Sequence, residues 1–325
     1  MKVVGLVYNV RHADQNVRSC RLQTLSSKFQ SLSVDLFPPS LVKSCAAVFA
    51  ELIAELTNHF FCDGSFPVCF KRAAITPDLT KLTLQKSDPS SYRPISDLSF
   101  ISIILNCLFL HTFSCTYLPV QVSIITSHPI GLPCVWLLTL LISLDLSAAF
   151  DTIDHHILIS CLCTSFAITG CVFSWLHYYL SYWSQSVRIG HHSSTPTPCT
   201  SGVPQWSVLG PLLFATYTSP IAKITCSFQV CHQQYADDTK LFIALNPSYP
   251  SSDIADLTSC LHALQSRSYL NRMALNPDKS DVVLLGTRER STCYVSLRCV
   301  DVAGCSVPLS DHTKVFDVIL DTLFP

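Results

Sequence analysis

Apolar residues recur at three- and four-residue spacing across residues 40–58, at Leu41, Ala46, Val48, Phe49, Leu52, Ile53 and Leu56, which predicts an amphipathic helix. Residues 152–166 and 172–183 also read as helices, the second with Phe173, Leu176 and Leu180 on one face. Ile254, Leu257, Leu261 and Leu264 predict a further helix. Asp253 and Asp256 stand in its first turn and Arg267 and Arg272 near its end, the order the helix dipole favours. Residues 60–86 read as irregular, and residues 88–96 as extended, because Pro89 and Pro94 exclude helix before them. The nearly continuous apolar run 135–144 predicts a buried strand, and one acid, Asp145, closes it. Residues 228–245 predict strand, tight turn, strand, with Ala236, Asp237 and Asp238 at the turn. Residues 185–190 read as a short strand, 193–204 as a Ser/Thr/Pro loop, 276–279 as a turn and 282–286 as a strand.

Composition narrows the class. Of 325 residues, 49% are hydrophobic and only 13% charged, about half the usual ~25%. Such a chain is neither a disordered tail nor a coiled coil, both of which need charge. Lys and Arg number 21 against 22 Asp and Glu, so net charge does not favour a dedicated nucleic-acid binder. Any such case must rest on local residues. Seventeen cysteines without a Cys-x-x-Cys pair read as reduced, small core hydrophobes, and their spacing fits no common zinc site. An intracellular protein, nuclear or cytoplasmic, is expected. Residues 98–144 hold no Asp, Glu, Lys or Arg, yet the apolar runs 98–110 and 134–144 are each shorter than the ~18 residues of a spanning helix. Pro119, Pro129, Pro133 and Gly131 break the stretch between them, so no membrane association is expected.

Three acids are candidates for chemistry. Asp145 ends a buried strand, where a carboxylate costs free energy unless paired. Asp237 and Asp238 are adjacent and repel one another unless a cation neutralises them. A divalent metal meets both needs, and carboxylates on two neighbouring strands suit a pair of Mg²⁺ ions. The competing reading is an ordinary Asp-Asp hairpin turn.

Five strings shift that balance: SYRPIS at 91–96, SLDLSAAFDTIDHH at 143–156, GVPQWSVLGPLLF at 202–214, YADDTKLF at 235–242 and LNPDKSDVVLLG at 275–286. In this order and spacing, over about residues 60–290, the chain resembles the reverse transcriptases of LINE-type (non-LTR) retrotransposons. The resemblance implies an α+β, right-hand palm-and-fingers fold with an incomplete thumb. It implies an N-terminal helical extension at 1–60, a fingers-like region at 61–144, a palm at 145–290 and the palm end with a thumb connection at 291–325. It puts the metal-binding acids on Asp145, Asp237 and Asp238. Phe150 matches the aromatic under the incoming sugar, and Gln205 the residue near the nascent base pair. Arg93 matches an arginine on the triphosphate, and Lys279 a lysine that protonates the leaving pyrophosphate. For Phe150 a core ring, and for Lys279 a solvated turn lysine, remain the plain alternatives. Two Mg²⁺ ions, an RNA template, a DNA primer and dNTPs are the implied cofactors and partners; no protein partner is inferable.

The departures are as specific. Trp206 replaces the glycine of GVPQGS, and an indole there is expected to intrude on the nucleotide pocket or push the loop aside. Residues 107–136 lack the polar fingers motif and read as shifted-frame sequence, expected to pack poorly. Residues 314–321 carry Asp317 where the family has a glycine, and the chain stops at Pro325 before a full thumb. The expectation is a decayed, truncated copy of weak or no activity. The alternatives are a non-catalytic retroelement remnant and, less favoured, a membrane protein built around 98–144.

Overall fold

The computed structural model describes residues 41, 44–80, 83–116, 138–147, 149–235, 238–246, 250–286, 294, 297–315 and 318–321. In chain order the elements begin with α1 (Ala46–Cys62), β1 (Arg72–Leu79), β2 (Tyr92–Leu98) and α2 (Phe100–Thr116). Next come β3 (Leu138–Leu144), β4 (Leu146–Ser147), α3 (His155–Thr164), α4 (Gly170–Leu180), β5 (Trp183–Ile189), β6 (His192–Ser193) and β7 (Thr197–Cys199). Then follow α5 (Gly210–Thr218), α6 (Pro220–Ser227), β8 (Cys231–Tyr235), β9 (Asp238–Leu245), α7 (Pro250–Leu270), β10 (Ala274–Leu275) and β11 (Asp281–Leu285). Strands β12 (Cys299–Val302), β13 (Cys305–Pro308), β14 (His312–Val315) and β15 (Val318–Asp321) end the series. Two units share the chain, one of residues 1–121 and 155–213, the other of residues 122–154 and 214–325.

In the first unit, α1 lays Ala46, Ala50 and Ile53 against Phe100 and Ile104 of α2. Small residues on α1 let the bulkier α2 approach. Further along α2, Phe109 stacks on Trp175 of α4 with centroids 3.8 Å apart, and Trp175 stacks in turn on Tyr179. Phe61 and Phe66 meet the Trp175 ring edge-on. These rings bury large areas in the offset and edge-to-face geometries that aromatic quadrupoles favour. Gly64, just past α1, has φ +60°, and a Cβ there would lie 2.7 Å from the Cβ of Ser174, so only glycine fits. A sheet in the order β2-β1-β5-β6 carries β1 antiparallel to β2 and parallel to β5, with β7 pairing β5 on its other side. Asp97 of β2 ties it together, accepting from Thr76 Oγ1 at 2.9 Å and from Arg188 at 3.0 Å.

The second unit is built on an antiparallel sheet in the order β11-β3-β9-β8. Its central strand reads LTLLISL, apolar on both faces because both are covered. On one face Leu138, Leu140, Ile142 and Leu144 join Leu241, Ile243, Leu245 and Val282. Leu257, Cys260, Leu261 and Leu264 of α7 and Ile221 of α6 close over them. Each such side chain contributes about 1.5–3 kcal/mol by leaving water. The other face carries Leu141 and Ser143 of β3 opposite Phe242 and Lys240 of β9. The alternation of strand side chains thus separates a hydrophobic face from one that bears polar groups.

Several expectations need correction. Residues 72–79, read as irregular, form β1 in spite of Pro77. The reason is positional: β5 pairs only Arg72–Ile75, so Pro77 lies where β1 has no second neighbour to which an N–H would be owed. Residues 197–199, read as loop, form β7, whose Pro198 sits on a strand with one partner. The helix expected over 172–183 ends at Leu180, and Trp183 opens β5. Poor packing was expected from residue 107 onward. Within α2 the opposite holds, with Phe109 1% exposed and Phe113 buried beside it. The lack of charge suits a helix enclosed on all sides. Residues 117–136 lie outside the described residues. Of the thirteen described cysteines, all free, only Cys161 and Cys260 are buried and seven are exposed, so core packing explains few of them. Among the described residues no helix is long and apolar enough to cross a membrane.

Candidate active site

Asp145 follows β3 directly, and Asp238 opens β9. The β3–β9 register runs Leu141↔Phe242, Ile142↔Leu241, Ser143↔Lys240, Leu144↔Thr239. The pairing ends there, and Asp145 and Asp238 adjoin its last pair on the two strands. Asp238 belongs to the face that carries Ser143 and Lys240, away from the α6–α7 core. Asp145 is half-buried and Asp238 exposed. Asp237 lies outside the described residues, so the expected approach of its carboxylate to Asp145 does too. Tyr235 of β8 pairs with Asp238 of β9, so the chain reverses in two residues as the hairpin pattern predicts.

The backbone of Asp145 is fastened on its far side. Its carbonyl accepts from the amide of Asn276 at 2.9 Å, and its own amide donates to Ser280 Oγ at 3.3 Å. Ser280 Oγ donates to the Asn276 carbonyl at 2.7 Å. Between these two residues runs the 3₁₀ turn Pro277–Lys279, where Pro277 supplies a φ suited to the first helical position. Lys279 is exposed at the end of that turn. The string LNPDKSD therefore does two things: it pins the strand end that bears Asp145 and it presents Lys279.

Beyond β4, the loop that holds Phe150 is fixed by Tyr217 of α5, a fully buried side chain. The Tyr217 hydroxyl donates to the Asn271 carbonyl at 2.6 Å and accepts from the Asp154 amide at 3.2 Å. Asp154 also pairs with Arg272 at 3.2 Å. The Phe150 ring rests on Phe214, centroids 5.0 Å apart, and is half-buried. It is held as a wall, with part of its surface still open.

Arg93 and Gln205 belong to the first unit. Arg93 is exposed on β2, opposite Asp78 of β1. Gln205 is half-buried in the loop before α5. His155 Nε2 meets the Gly202 carbonyl at 2.7 Å, and Ser207 Oγ accepts from the Gly210 amide at 3.0 Å, which fix the two ends of that loop. Between them Trp206 has φ +66° and is 74% exposed. The backbone keeps a conformation suited to glycine, and the ring stands in solvent.

Sequence reasoning overlooked Ser143 and Lys240. Lys240 is 8% exposed, and its Nζ donates to Ser143 Oγ at 2.6 Å. The signal was present: a lone cation in the apolar strand DTKLFIAL, two residues after the acid pair. Among the described residues no group of three or more His, Cys, Asp or Glu side chains gathers around a metal-sized space. Asp145 and Asp238 supply the hard oxygen donors that Mg²⁺ prefers, so the residues present fit such an ion.

No curated protein sequence matches the chain. Among solved structures, apo telomerase from Candida tropicalis, truncated from its C-terminal domain, is similar at 10% identity with a TM-score of 0.48. The alignment covers 91% of this chain and 62% of that one, so the chain spans less than two thirds of its solved neighbour. The family model described as reverse transcriptase (RNA-dependent DNA polymerase) matches residues 84–307, about two thirds of the chain. That stretch contains β3, the β8–β9 hairpin and the turn that fastens Asp145, and by this match the chain belongs to the reverse transcriptase family, RNA-directed DNA polymerases of the α+β right-hand fold.

Proposed function

We propose that the chain is the polymerase region of a LINE-type (non-LTR) retrotransposon reverse transcriptase, in a decayed copy. The reaction is attack of a primer 3′-hydroxyl on the α-phosphorus of a dNTP opposite an RNA template; the α–β phosphoanhydride breaks and pyrophosphate leaves. The observation that supports this reading is that Asp145 follows β3 and Asp238 opens β9, at the adjoining ends of two paired strands. Asp145, Asp237 and Asp238 hold two Mg²⁺ ions, which when bound supply activation of the hydroxyl and neutralisation of charge at the triphosphate. The Phe150 ring, braced by Phe214, excludes a 2′-hydroxyl and so selects deoxynucleotides. Arg93 grips triphosphate oxygens with a planar, always-charged fork. Gln205 packs at the nascent base pair, and Lys279 delivers a proton to the leaving pyrophosphate. In this reading residues 61–144 act as fingers, residues 145–290 as palm, residues 1–60 as an extension and residues 291–325 as the start of a thumb connection.

Decay is supported by Trp206, a bulky residue in a left-handed conformation where the family pattern has glycine. Misplacement of substrate by about an ångström costs ~10²-fold in rate, so acids that still hold metal do not guarantee turnover. The test is Mg²⁺-dependent extension of a DNA primer on an RNA template. Weak extension, at least ~10²-fold below an intact relative and abolished by Asp237→Ala, is expected. Robust extension overturns the decay. Extension that survives Asp237→Ala and Asp145→Asn overturns the site. No extension at all favours the second reading, a non-catalytic remnant.

A further inference from the structure

We infer that Lys240 is a positioning residue for the acid cluster: a built-in positive charge beneath Asp145 and Asp238 that offsets their repulsion when no metal is bound and holds metal affinity down. The inference rests on the metal-site reading above and extends it to a residue which that reading does not use.

The argument starts from burial. An ammonium that is 8% exposed in the middle of a sheet has left most of its hydration shell, which is costly without compensation. Its one described hydrogen bond goes to Ser143 Oγ, a neutral acceptor that balances none of the charge. The compensation has to come from anions nearby. Ser143 and Lys240 are register partners, and strand side chains alternate, so Asp238 is the next residue on that face along β9, while Asp145 directly follows the last residue of β3. At ~3.3 Å of rise per residue, each lies roughly 7 Å from the ammonium row. On the other side of Ser143 stands Asp281 of β11, which is exposed and accepts from Thr313 Oγ1 at 3.5 Å. The carboxylates therefore flank Lys240 along the strands, and Ser143 separates it from Asp281. The Ser143 hydroxyl holds the ammonium in place below the acids rather than among them, so it does not occupy the position where a cation would bind.

Two consequences follow from electrostatics at this range. With no metal present, the ammonium lowers the mutual repulsion of the two carboxylates, so the strand ends need not separate. With a divalent ion present, the same ammonium repels it. Lys240 thus trades tight metal binding for a preformed site.

The readout is Mn²⁺ affinity of the full chain, measured by electron paramagnetic resonance of free Mn²⁺, with no substrate and no turnover. Lys240→Met is expected to bind Mn²⁺ about 3- to 10-fold more tightly than wild type, as removal of one charge at this distance demands. Lys240→Arg, which keeps the charge, is expected to retain the wild-type value. Lys240→Gln serves as the second neutral variant should the methionine variant fail to fold, and circular dichroism on each confirms the fold. Equal affinity in wild type and the folded neutral variants, or weaker binding in them, overturns the inference alone. Mn²⁺ binding that is absent in every form, or unchanged by Asp145→Asn, overturns the metal-site reading and this inference with it.

Discussion

The amide of Asn276 donates to the carbonyl of Asp145 at 2.9 Å, and through this bond a turn 131 residues further along the chain holds a strand end that bears a candidate metal ligand. The hydroxyl of Ser280 completes the clasp, accepting from the Asp145 amide and donating to the Asn276 carbonyl. Ser280→Ala removes, in a part-buried position, the described partner of the Asp145 amide and one of two donors to the Asn276 carbonyl, which keeps the Lys279 amide at 3.3 Å. We expect a loss of about 1–2 kcal/mol in urea unfolding, with Mn²⁺ affinity reduced in the same variant. Ser280→Thr keeps the hydroxyl and should restore most of both. A variant with native stability and native affinity would show that the clasp does not position Asp145.

Trp206 tests the cost of a side chain where the backbone is left-handed. At φ +66° glycine is at ease and any L-residue is strained. Comparing Trp206→Gly with Trp206→Ala removes the indole from both and isolates the backbone. The glycine variant should be the more stable by about 1 kcal/mol in thermal or urea unfolding. Equal stability would mean that the loop relaxes to another conformation without penalty.

A pH test follows from Lys71. The residue is 1% exposed, its Nζ donates to the Tyr178 carbonyl, and it lies 5.7 Å from the Phe66 centroid and 6.0 Å from those of Tyr178 and Tyr182. The carbonyl and the rings favour the ammonium, yet burial outweighs them and lowers its pKa from 10.5 to about 8. Below pH 8 both folded and unfolded chains carry the proton, and the burial penalty is complete. Between about 8 and 10.5 the unfolded chain holds a proton that the folded chain has lost, so stability rises with pH across that window. Lys71→Met should lack this rise. The difference between the two proteins, read from urea midpoints at pH 7.5 and 10, should change by on the order of 1–3 kcal/mol. Parallel pH profiles would refute the lowered pKa.

Phe109 reports on α2. Its stack with Trp175 and its edge contact with Phe61 make it a central ring of the first unit. Phe109→Ala should destabilise by about 3–5 kcal/mol, and Phe109→Leu by less. A cost under ~1 kcal/mol, measured by calorimetry, would mean that the helix is only loosely seated, as shifted-frame sequence was expected to be.

Local signals carried the parts of this molecule that were legible beforehand. The run before Asp145 and the β8–β9 hairpin were readable because a buried strand and a hairpin each announce themselves within about ten residues. Strand β1 was hidden because Pro77 looks like a breaker, and only pairing shows that it stands where a missing N–H does no harm. Helix α2 was hidden by the opposite fault: with no polar face there is no period to read, and its enclosure by α1 and α4 is a tertiary fact. The bond from Lys240 to Ser143 depends on the register of strands 97 residues apart, which no local pattern encodes. The same limit applies to Ser280 and Asp145.

The pairing of β3 has a consequence for how the protein is made. Leu138 lies opposite Leu245, and Leu285 on the other edge lies opposite Thr139, so both neighbours of this strand are encoded roughly a hundred residues or more downstream. A ribosome adds ~5–20 residues per second, so the nascent chain carries LTLLISL with no strand to pair it for about 5–20 seconds. During that interval the strand most essential to the finished sheet is the segment most open to a wrong partner, and the yield of folded protein should depend on a chaperone or on slow expression in the cold.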